Sequence, residues 1–308
     1  MNISMPLFDD LVQMALESSG DEAQRPVIEK EILHYDILFC LDEAGLLDQL
    51  TFQGGTALRL CYGSLRLSED LDFAGGRGFD AKSLRDISQC VEDYLGPRYG
   101  LPVEVKVPKL LLQEPGYEGI KVDKWQVAVT TSPARRDLPK QKIKLEVGAV
   151  DAYSREPRAL AQNYAFLPAG YQDTLVLTES RAEIMADKLV SFVASEKYVR
   201  YRDIWDLLWL GRQNVIWSPD LVNQKIKDYG LDSYQALLAS RIETLPQLVA
   251  DGKFEAEMRR FVPTEAYERT LGKPKFLTHA GLTTVELLRA LERALYGHGK
   301  RAGSLAER

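Results

Sequence analysis

The most informative part of the sequence is the segment Phe52-Gln-Gly-Gly-Thr-Ala-Leu-Arg-Leu-Cys-Tyr-Gly-Ser-Leu-Arg-Leu-Ser-Glu-Asp-Leu-Asp-Phe73. It begins with two glycines and a threonine and ends with two aspartates that are separated by one residue. A glycine turn lets backbone N–H groups approach a phosphate, and two carboxylates on one face of a strand can hold a divalent cation. The segment therefore predicts a site that positions a metal-bound nucleotide for phosphoryl or nucleotidyl transfer.

The two aspartates lie in a predicted strand over residues 66–73. Leu71 and Phe73 share one face of this strand and Asp70 and Asp72 share the other, because successive side chains point to opposite sides. Neighbouring carboxylates repel each other unless a cation lies between them, and Mg²⁺ accepts one or two carboxylates together with phosphate oxygens. Such pairs also occur as solvated surface charge in a chain with 45 acidic residues. The apolar opposite face and the preceding turn favour a magnesium site here.

A third carboxylate would complete a site for two metal ions. Glu146 is the candidate, because it lies near the end of an alternating segment, residues 141–147, on its polar face. We expect this segment to form a strand that neighbours the strand of the two aspartates. A salt bridge with Lys142 or Lys144 explains Glu146 equally well, and the sequence leaves both interpretations open.

The Gly54-Gly55 pair predicts a tight turn that a residue with a β-carbon would resist. Good helix formers follow over residues 56–62, so we expect Thr56 to be an N-cap whose neighbouring amides face an anion.

Two polar residues lie in predicted helices far from this segment. Lys188 is surrounded by apolar residues, so it either extends its ammonium group to solvent or binds phosphate as a point charge. Asp203 opens the next helix, where the helix dipole stabilises its charge. It could also orient Lys188 or accept a proton from an attacking hydroxyl.

Composition and charge exclude several classes of protein. The 308 residues are 45% apolar and 27% charged, as in an ordinary globular protein of two modest domains or of one domain with an appended lobe. The net charge of −6 restricts any nucleic-acid surface to a local patch. Three widely spaced cysteines and three histidines favour neither a disulfide framework nor a zinc site. With no signal peptide or membrane-spanning segment expected, we predict a cytoplasmic protein without membrane association.

The periodicity of the chain changes near its middle. Alternating segments predict strands first, and from residue 178 onward the patterns are helical, with short helices expected after residue 215. We therefore expect an α+β fold, in which a mixed sheet flanked by helices occupies residues 1–157 and a mainly helical lobe occupies residues 158–308. The predicted strands are 46–52, 66–73, 103–107, 125–131 and 141–147, and the predicted helices of the first part are 7–17, 26–43, 56–62 and 81–95, the last ending at Gly96-Pro97.

Four motifs, in order, resemble those of the AbiEii/AbiGii-type nucleotidyltransferase toxins, a family of the polymerase-β-like nucleotidyltransferase superfamily. The resemblance covers roughly residues 50–210, and four motifs together are far more specific than one. The interval between the glycine turn and the aspartates is long for the superfamily but agrees with this family. The motifs are Gln53-Gly-Gly-Thr-Ala-Leu-Arg-Leu with Arg66-Leu-Ser-Glu-Asp-Leu-Asp-Phe, Lys144-Leu-Glu146, Glu183-Ile-Met-Ala-Asp-Lys188-Leu, and Arg202-Asp203-Ile-Trp-Asp206-Leu.

The resemblance implies a nucleotidyltransferase-like N-terminal core and a helical lobe that contributes Lys188 and Asp203 to its site. Asp206 is the alternative to Asp203 as the catalytic residue of the fourth motif. The implied catalytic residues are Asp70, Asp72, Lys188 and Asp203. The implied metal ligands are Asp70, Asp72 and Glu146. The implied nucleotide-binding residues are Gly55, Thr56, Arg66, Ser68 and Lys188.

The resemblance also implies an activity and partners. Members of the family are toxins of bacterial toxin–antitoxin and abortive-infection systems, usually encoded beside a winged-helix antitoxin. Some add nucleotides to the 3′ end of tRNA and so block translation. We therefore expect a Mg²⁺-dependent enzyme that transfers a nucleoside monophosphate from an NTP to an acceptor, with the 3′ end of tRNA as the implied acceptor.

Two alternatives remain open at this point. The acceptor could be a protein side chain such as Ser, Thr or Tyr, or the protein could bind GTP without chemistry. Two basic clusters could contact an RNA backbone, although ordinary solvated charge explains both slightly better. These clusters are Arg135, Arg136, Lys140 and Lys142, and Lys197, Arg200 and Arg202.

Overall fold

The computed structural model describes residues 7–19, 21–109, 121–135 and 137–297. The chain forms two compact units. The first extends to Ser180 and also includes Arg260–Glu265, whereas the second comprises Arg181–Arg259 and continues from Ala266. Residues 158–180 thus belong to the first unit, and the division of the sequence at residue 157 stays a prediction.

The first unit is built on a mixed sheet that is flanked by helices, as the sequence predicted. Across the described residues the strand order is β3-β4-β5-β2-β1-β7-β6. The β2–β5 and β1–β7 pairs are parallel and the other pairs are antiparallel. The elements are α1 (Phe8–Ser19), α2 (Arg25–Glu43), β1 (Thr51–Gln53), α3 (Gly54–Tyr62), β2 (Leu71–Ala74), α4 (Ile87–Tyr99), β3 (Val103–Lys106), β4 (Val122–Val129), β5 (Gln141–Gly148), β6 (Glu156–Ala159) and β7 (Leu175–Thr178).

The central strands have one apolar and one polar face. Leu145, Phe73 and Trp125 are completely or almost completely buried, and burial of each such side chain stabilises the fold by about 1.5–3 kcal/mol or more. Helix α2 packs against β5 and α4, and α4 packs against β3. On β5, Lys142 and Lys144 alternate with the buried residues and are exposed. The apolar face therefore forms the core, and the polar face is left for chemistry.

The second unit is helical, which agrees with the change of periodicity in the sequence. Helix α5 packs against α6, α7 and α8, and α11 packs against α6 and α8. No helix in the described parts of the chain has the length and apolar character needed to cross a membrane. The helices are α5 (Arg181–Ala194), α6 (Tyr201–Arg212), α7 (Pro219–Asp228), α8 (Tyr234–Ala250), α9 (Lys253–Met258), α10 (Thr264–Arg269) and α11 (Pro274–Tyr296), and the first residues of α10 belong to the first unit.

Several predicted boundaries are wrong. The predicted strand 66–73 is a strand only over Leu71–Ala74, because the backbone amide of Leu67 bonds to the carbonyl of Phe261 instead of to a strand partner. Helix α4 continues through Pro97 to Tyr99. A proline this close to the end of a helix leaves few turns to disrupt, and the helix ends where Gly100 adopts a φ of 63°.

Other differences come from contacts that local patterns do not report. The predicted strand 46–52 is reduced to Thr51–Gln53, and β6 and β7 were not predicted. Only two of the four residues of β7 are buried, so its apolar signal is short. The helices after residue 215 are not all short, since α8 has 17 residues and α11 has 23.

Candidate active site

Two predicted metal ligands lie directly opposite each other on adjacent parallel strands. Asp72 on β2 is in register with Glu146 on β5. Residues that face each other across a strand pair point to the same side of the sheet, and the strands are about 4.8 Å apart. The prediction that the strand of Glu146 neighbours that of the aspartates is therefore confirmed.

Lysine side chains of the same sheet contact two of the predicted metal ligands, Glu146 and Asp70. The Lys124 ammonium lies 2.6 Å from an oxygen of Glu146, because Lys124 is opposite Glu146 on β4. The partner of Glu146 is thus Lys124, and not Lys142 or Lys144. The Lys144 amide donates a hydrogen bond to Asp70 Oδ1 at 3.1 Å, and its ammonium lies 3.7 Å from Asp70 Oδ2. These cations reduce the repulsion among the clustered carboxylates.

The donor set fits a divalent cation that is shared with a phosphate. Asp70, Asp72 and Glu146 are all partly exposed, so their oxygens are accessible. Among the described residues, the ligand atoms of these three do not all lie within 4.8 Å of one another. Mg²⁺ usually takes one or two carboxylates and completes its shell with water and phosphate oxygens. Asp72 with one neighbouring carboxylate meets that requirement.

The glycine turn packs directly against Asp72. Gly54 has a φ of 80°, and a β-carbon at this position would lie 2.8 Å from Asp72 Oδ2. A β-carbon on Gly55 would lie 2.2 Å from the Arg66 guanidinium. Gly54 is therefore favoured by its positive φ, as the sequence predicted for the turn, and a side chain on Gly55 would displace the buried Arg66 guanidinium.

The prediction for Thr56 as an N-cap is wrong. Helix α3 begins at Gly54 with Gln53 as the N-cap residue. Thr56 is buried within the first turn, and its hydroxyl donates a hydrogen bond to the backbone carbonyl of Asp70. Thr56 therefore fixes the start of the aspartate segment relative to the glycine turn.

Arg66 and Ser68 lie beneath the glycine turn. Both are buried, and the Arg66 guanidinium donates a hydrogen bond of 2.8 Å to the carbonyl of Leu67. The Ser68 hydroxyl lies 3.2 Å from the place of a β-carbon on Gly55. The structure thus brings Gly55, Arg66 and Ser68 together, and their nucleotide-binding role stays a prediction.

A short segment from late in the chain holds this region, and sequence reasoning missed it. The Leu67 amide donates to the carbonyl of Phe261 at 2.8 Å, and the Gln24 side chain donates to the carbonyl of Val262 at 2.5 Å. Phe261 and Val262 are buried in the first unit. Backbone carbonyls act here, so no side-chain motif could have revealed the contact.

In the second unit, the structure joins Lys188 with the two aspartates of the fourth motif. The buried Lys188 ammonium lies 2.7 Å from Asp203 Oδ1 and 2.9 Å from Asp206 Oδ2. The other Asp203 oxygen accepts hydrogen bonds from Arg200 at 2.6 Å and from Ser191 at 3.2 Å. Burial raises the pKa of Asp203, but the Lys188 and Arg200 cations lower it more, and the result lies below the ordinary value. Asp203 is therefore ionised at neutral pH.

A second buried ion cluster joins α5 to α7. The Lys225 ammonium lies 2.7 Å from Glu183 and 3.1 Å from Asp187. Lys225 and Glu183 are buried and Asp187 is partly exposed, so the lysine balances carboxylate charge that is largely removed from solvent. No sequence motif includes Lys225, although Glu183 and Asp187 lie one helical turn apart and therefore share a face.

Comparison with known proteins identifies the family. A sequence model described as nucleotidyl transferase AbiEii toxin, type IV toxin–antitoxin system, matches residues 36–281. The chain belongs to the AbiEii family. The resemblance of the four motifs is thereby confirmed. No curated protein matches this AbiEii-family chain.

Two solved structures share the fold of this AbiEii-family protein. MenT4, a nucleotidyltransferase toxin from Mycobacterium tuberculosis H37Rv, has 18% sequence identity and a TM-score of 0.51, and the match covers 94% of this chain and 98% of MenT4. A candidate nucleotidyltransferase from H. pylori has 18% identity and a TM-score of 0.50, with 87% and 96% of the two chains covered. At this identity the likeness shows the fold alone.

Family membership makes this AbiEii protein a nucleotidyltransferase toxin of a type IV toxin–antitoxin system. It also implies an NTP substrate and an antitoxin partner. The alternative of a protein that binds GTP without chemistry is wrong, because the family is one of enzymes.

Proposed function

We propose that the protein transfers a nucleoside monophosphate from an NTP to the 3′ end of tRNA, with Mg²⁺ held by Asp70, Asp72 and Glu146. The observation that supports this most is the register of Asp72 with Glu146, next to a glycine turn that contacts Asp72. This arrangement brings carboxylates that can bind a metal ion and a turn that can bind phosphate together within one unit. Bound Mg²⁺ would neutralise the triphosphate and stabilise the charge that develops during transfer.

The reaction balances without any further co-reactant. The acceptor hydroxyl oxygen forms a bond to the α-phosphorus, the bond from that phosphorus to the bridging oxygen breaks, and pyrophosphate leaves. The hydroxyl proton passes to a base or to solvent. Gly55 and Thr56 place the start of α3 beside the carboxylates, where helical N–H groups favour an anion. The buried Arg66 adds positive charge beneath the same turn.

The roles of Lys188 and Asp203, which lie in the second unit, are taken from the family resemblance. Lys188 binds nucleotide phosphate through its ammonium group. The lowered pKa of Asp203 makes it a poor proton acceptor at neutral pH, since an efficient general base has a pKa near the working pH. Asp203 therefore acts by orienting Lys188, and Asp206 holds the ammonium from the other side.

The choice of tRNA rests on the family resemblance, whereas the cytoplasm is the place of action that the sequence predicts. NTPs and tRNA are both abundant in the cytoplasm, and transfer to the tRNA 3′ end would block translation. A winged-helix antitoxin is the partner that we propose. Its gene beside that of this protein would support the pairing.

The test is incubation of the purified protein with each labelled NTP, Mg²⁺ and total tRNA. We expect label to enter tRNA with one preferred NTP and to require the divalent ion. Asp72→Asn should abolish transfer, and its thermal midpoint and circular dichroism spectrum check that the fold is retained. Glu104→Gln is the matched control, since it removes an exposed acidic charge from the same sheet, on β3.

Three outcomes would refute parts of the proposal. Label in a protein band and not in tRNA would move the acceptor to a protein side chain. Equal transfer by Asp72→Asn and wild type would exclude the carboxylate site. No transfer by wild type to either acceptor, with the correct fold verified by circular dichroism, would refute the activity.

A further inference from the structure

Lysines extend from the carboxylates across the polar face of the sheet. Lys124 on β4 is opposite Glu146, and Lys144 on β5 is opposite Gln126 on β4. Gln126 is in turn opposite Lys106 on β3. Two rows therefore cross the strands on one face of the sheet. One row is Asp72, Glu146 and Lys124, and the other is Lys144, Gln126 and Lys106, beginning beside Asp70.

The lysines of these rows differ in how far they are already paired. Lys124 and Lys144, nearest the carboxylates, contact Glu146 and Asp70. Lys106 ends the second row, and Lys142 lies beside the rows on β5, opposite Ala128. Both are exposed and have no carboxylate oxygen within 4.0 Å among the described residues. Their ammonium groups are thus available to an anion that extends away from the carboxylates.

The dimensions suit a nucleic-acid strand better than a triphosphate. From β2 to β3 the rows span three strand spacings, or about 14 Å. A stacked strand advances about 3.4 Å per nucleotide, so the rows accommodate about four nucleotides. Lys106 lies two strand spacings from Lys144, about 10 Å, which places it beyond a triphosphate that is bound at the carboxylates.

The chemistry of this face indicates contact with phosphates and not with bases. In the described parts of β3, β4 and β5, the aromatic residue Trp125 is completely buried, so the exposed face offers no stacking platform. Glu104 is the acidic residue of β3 on this face, and Lys140 pairs with it at 3.2 Å. Lysines bind phosphates as point charges without reading sequence.

We propose that this lysine face, formed by Lys106, Lys124, Lys142 and Lys144, binds the backbone of the single-stranded 3′ end of the acceptor RNA and directs its terminal hydroxyl toward the carboxylates. The proposal rests on the proposed function, because it assigns a path to the acceptor of that reaction. It changes the interpretation of the basic residues in the sequence. Lys142 belongs to this surface, whereas Arg135 is occupied by Asp137, and Arg136 lies outside the described residues.

The test compares two double variants that remove the same charge. Lys106→Ala/Lys142→Ala removes the two outer lysines of the face and leaves the carboxylates and their lysine partners intact. Lys82→Ala/Lys275→Ala removes two exposed lysines elsewhere and is the control. The dissociation constant of fluorescent tRNA is measured by anisotropy at several salt concentrations, for intact tRNA and for tRNA without its 3′ single strand.

We expect the first variant alone to bind intact tRNA about tenfold more weakly. The slope of the logarithm of its binding constant against the logarithm of the salt concentration should be smaller by roughly 1.4, or 0.7 for each lost phosphate contact with a single strand. The truncated tRNA should show no difference between the variants, and the KM for NTP should equal that of wild type. Equal binding by both variants would overturn the proposal, as would equal losses on intact and truncated tRNA. If the wild-type protein binds tRNA through the lysine face but transfers no nucleotide to it, the proposed function is refuted and the binding surface is not.

Discussion

The contact between the glycine turn and Asp72 gives a sharp prediction for Gly54→Ala. The new β-carbon would lie 2.8 Å from Asp72 Oδ2, and ordinary contact begins near 3.4 Å. Asp72 must therefore shift by about 0.6 Å. Catalytic groups work when held within about 0.5 Å, and a misplacement of 1 Å costs about 100-fold in rate. We expect kcat/KM to fall by about 10- to 100-fold, equivalent to roughly 1.4–2.7 kcal/mol.

The other end of the same helix supplies a matched control. Gly63 has a φ of 77°, close to the 80° of Gly54, but a β-carbon there would meet nothing within 4 Å. Both substitutions place a side chain at a positive φ, and at Gly63, whose ψ of 24° completes the left-handed conformation, this costs about 1–2 kcal/mol. Gly63→Ala should therefore lower the free energy of unfolding by about this amount and leave turnover per folded molecule unchanged.

The assay separates the two effects. Urea unfolding followed by circular dichroism gives the stability of each variant, and pyrophosphate release at saturating Mg²⁺ gives turnover per folded protein. If Gly54→Ala matches Gly63→Ala in both measurements, the turn does not position Asp72, and the reasoning fails. If Gly63→Ala loses turnover as strongly, backbone strain in α3 is the cause instead of the contact with Asp72.

Three further predictions concern titratable groups. Burial lowers the pKa of His34 from 6.5 to about 4, so the free energy of unfolding should fall by about 3 kcal/mol as the pH drops from 6.5 through 4, and His34→Gln should flatten this dependence in urea titrations. Asp203→Asn should lower the free energy of unfolding by about 2 kcal/mol. Because the pKa of Asp203 is lowered, that cost should be constant above pH 3.8 and shrink as the pH falls further, which paired unfolding curves would show. The interaction with Cys40 lowers the pKa of Cys90, whereas burial raises the pKa of Cys61 to about 12. Peptide mass spectrometry at pH 7 should therefore find iodoacetamide on Cys90 first, and labelling of Cys61 first would contradict this.

The mixed sheet, the helical second half and the pairing of the Glu146 strand with the aspartate strand followed from the sequence. Alternation reports which side chains are buried, and two strands whose polar faces carry carboxylates must be neighbours if one metal uses both. The position of the Glu146 strand beside the aspartate strand is therefore confirmed, and the role of Glu146 as a metal ligand stays a prediction. Its ion-pair partner, Lys124, was not predicted, because cross-strand register depends on tertiary pairing.

Other features could not be predicted from local sequence patterns. Thr56 has the residue type of an N-cap, yet its hydroxyl bonds to a carbonyl 14 residues later, and such a partner cannot be read from helix propensity. Lys188 had two interpretations, and only the fold shows that two buried carboxylates surround its ammonium. Strand β2 begins only at Leu71 because the Leu67 amide bonds to Phe261, which lies almost 200 residues later in the chain.

The contact between Leu67 and the Phe261 carbonyl makes the order of synthesis matter. A nascent chain that has emerged only as far as Arg259 already contains all four motifs, but it lacks the segment that anchors the loop before Asp70. We expect a protein truncated after Arg259 to expose this loop to protease and to be inactive, in contrast to the full chain. The four motifs are therefore synthesised before the segment that anchors this loop, and we expect the site to be complete only after Phe261 has emerged from the ribosome.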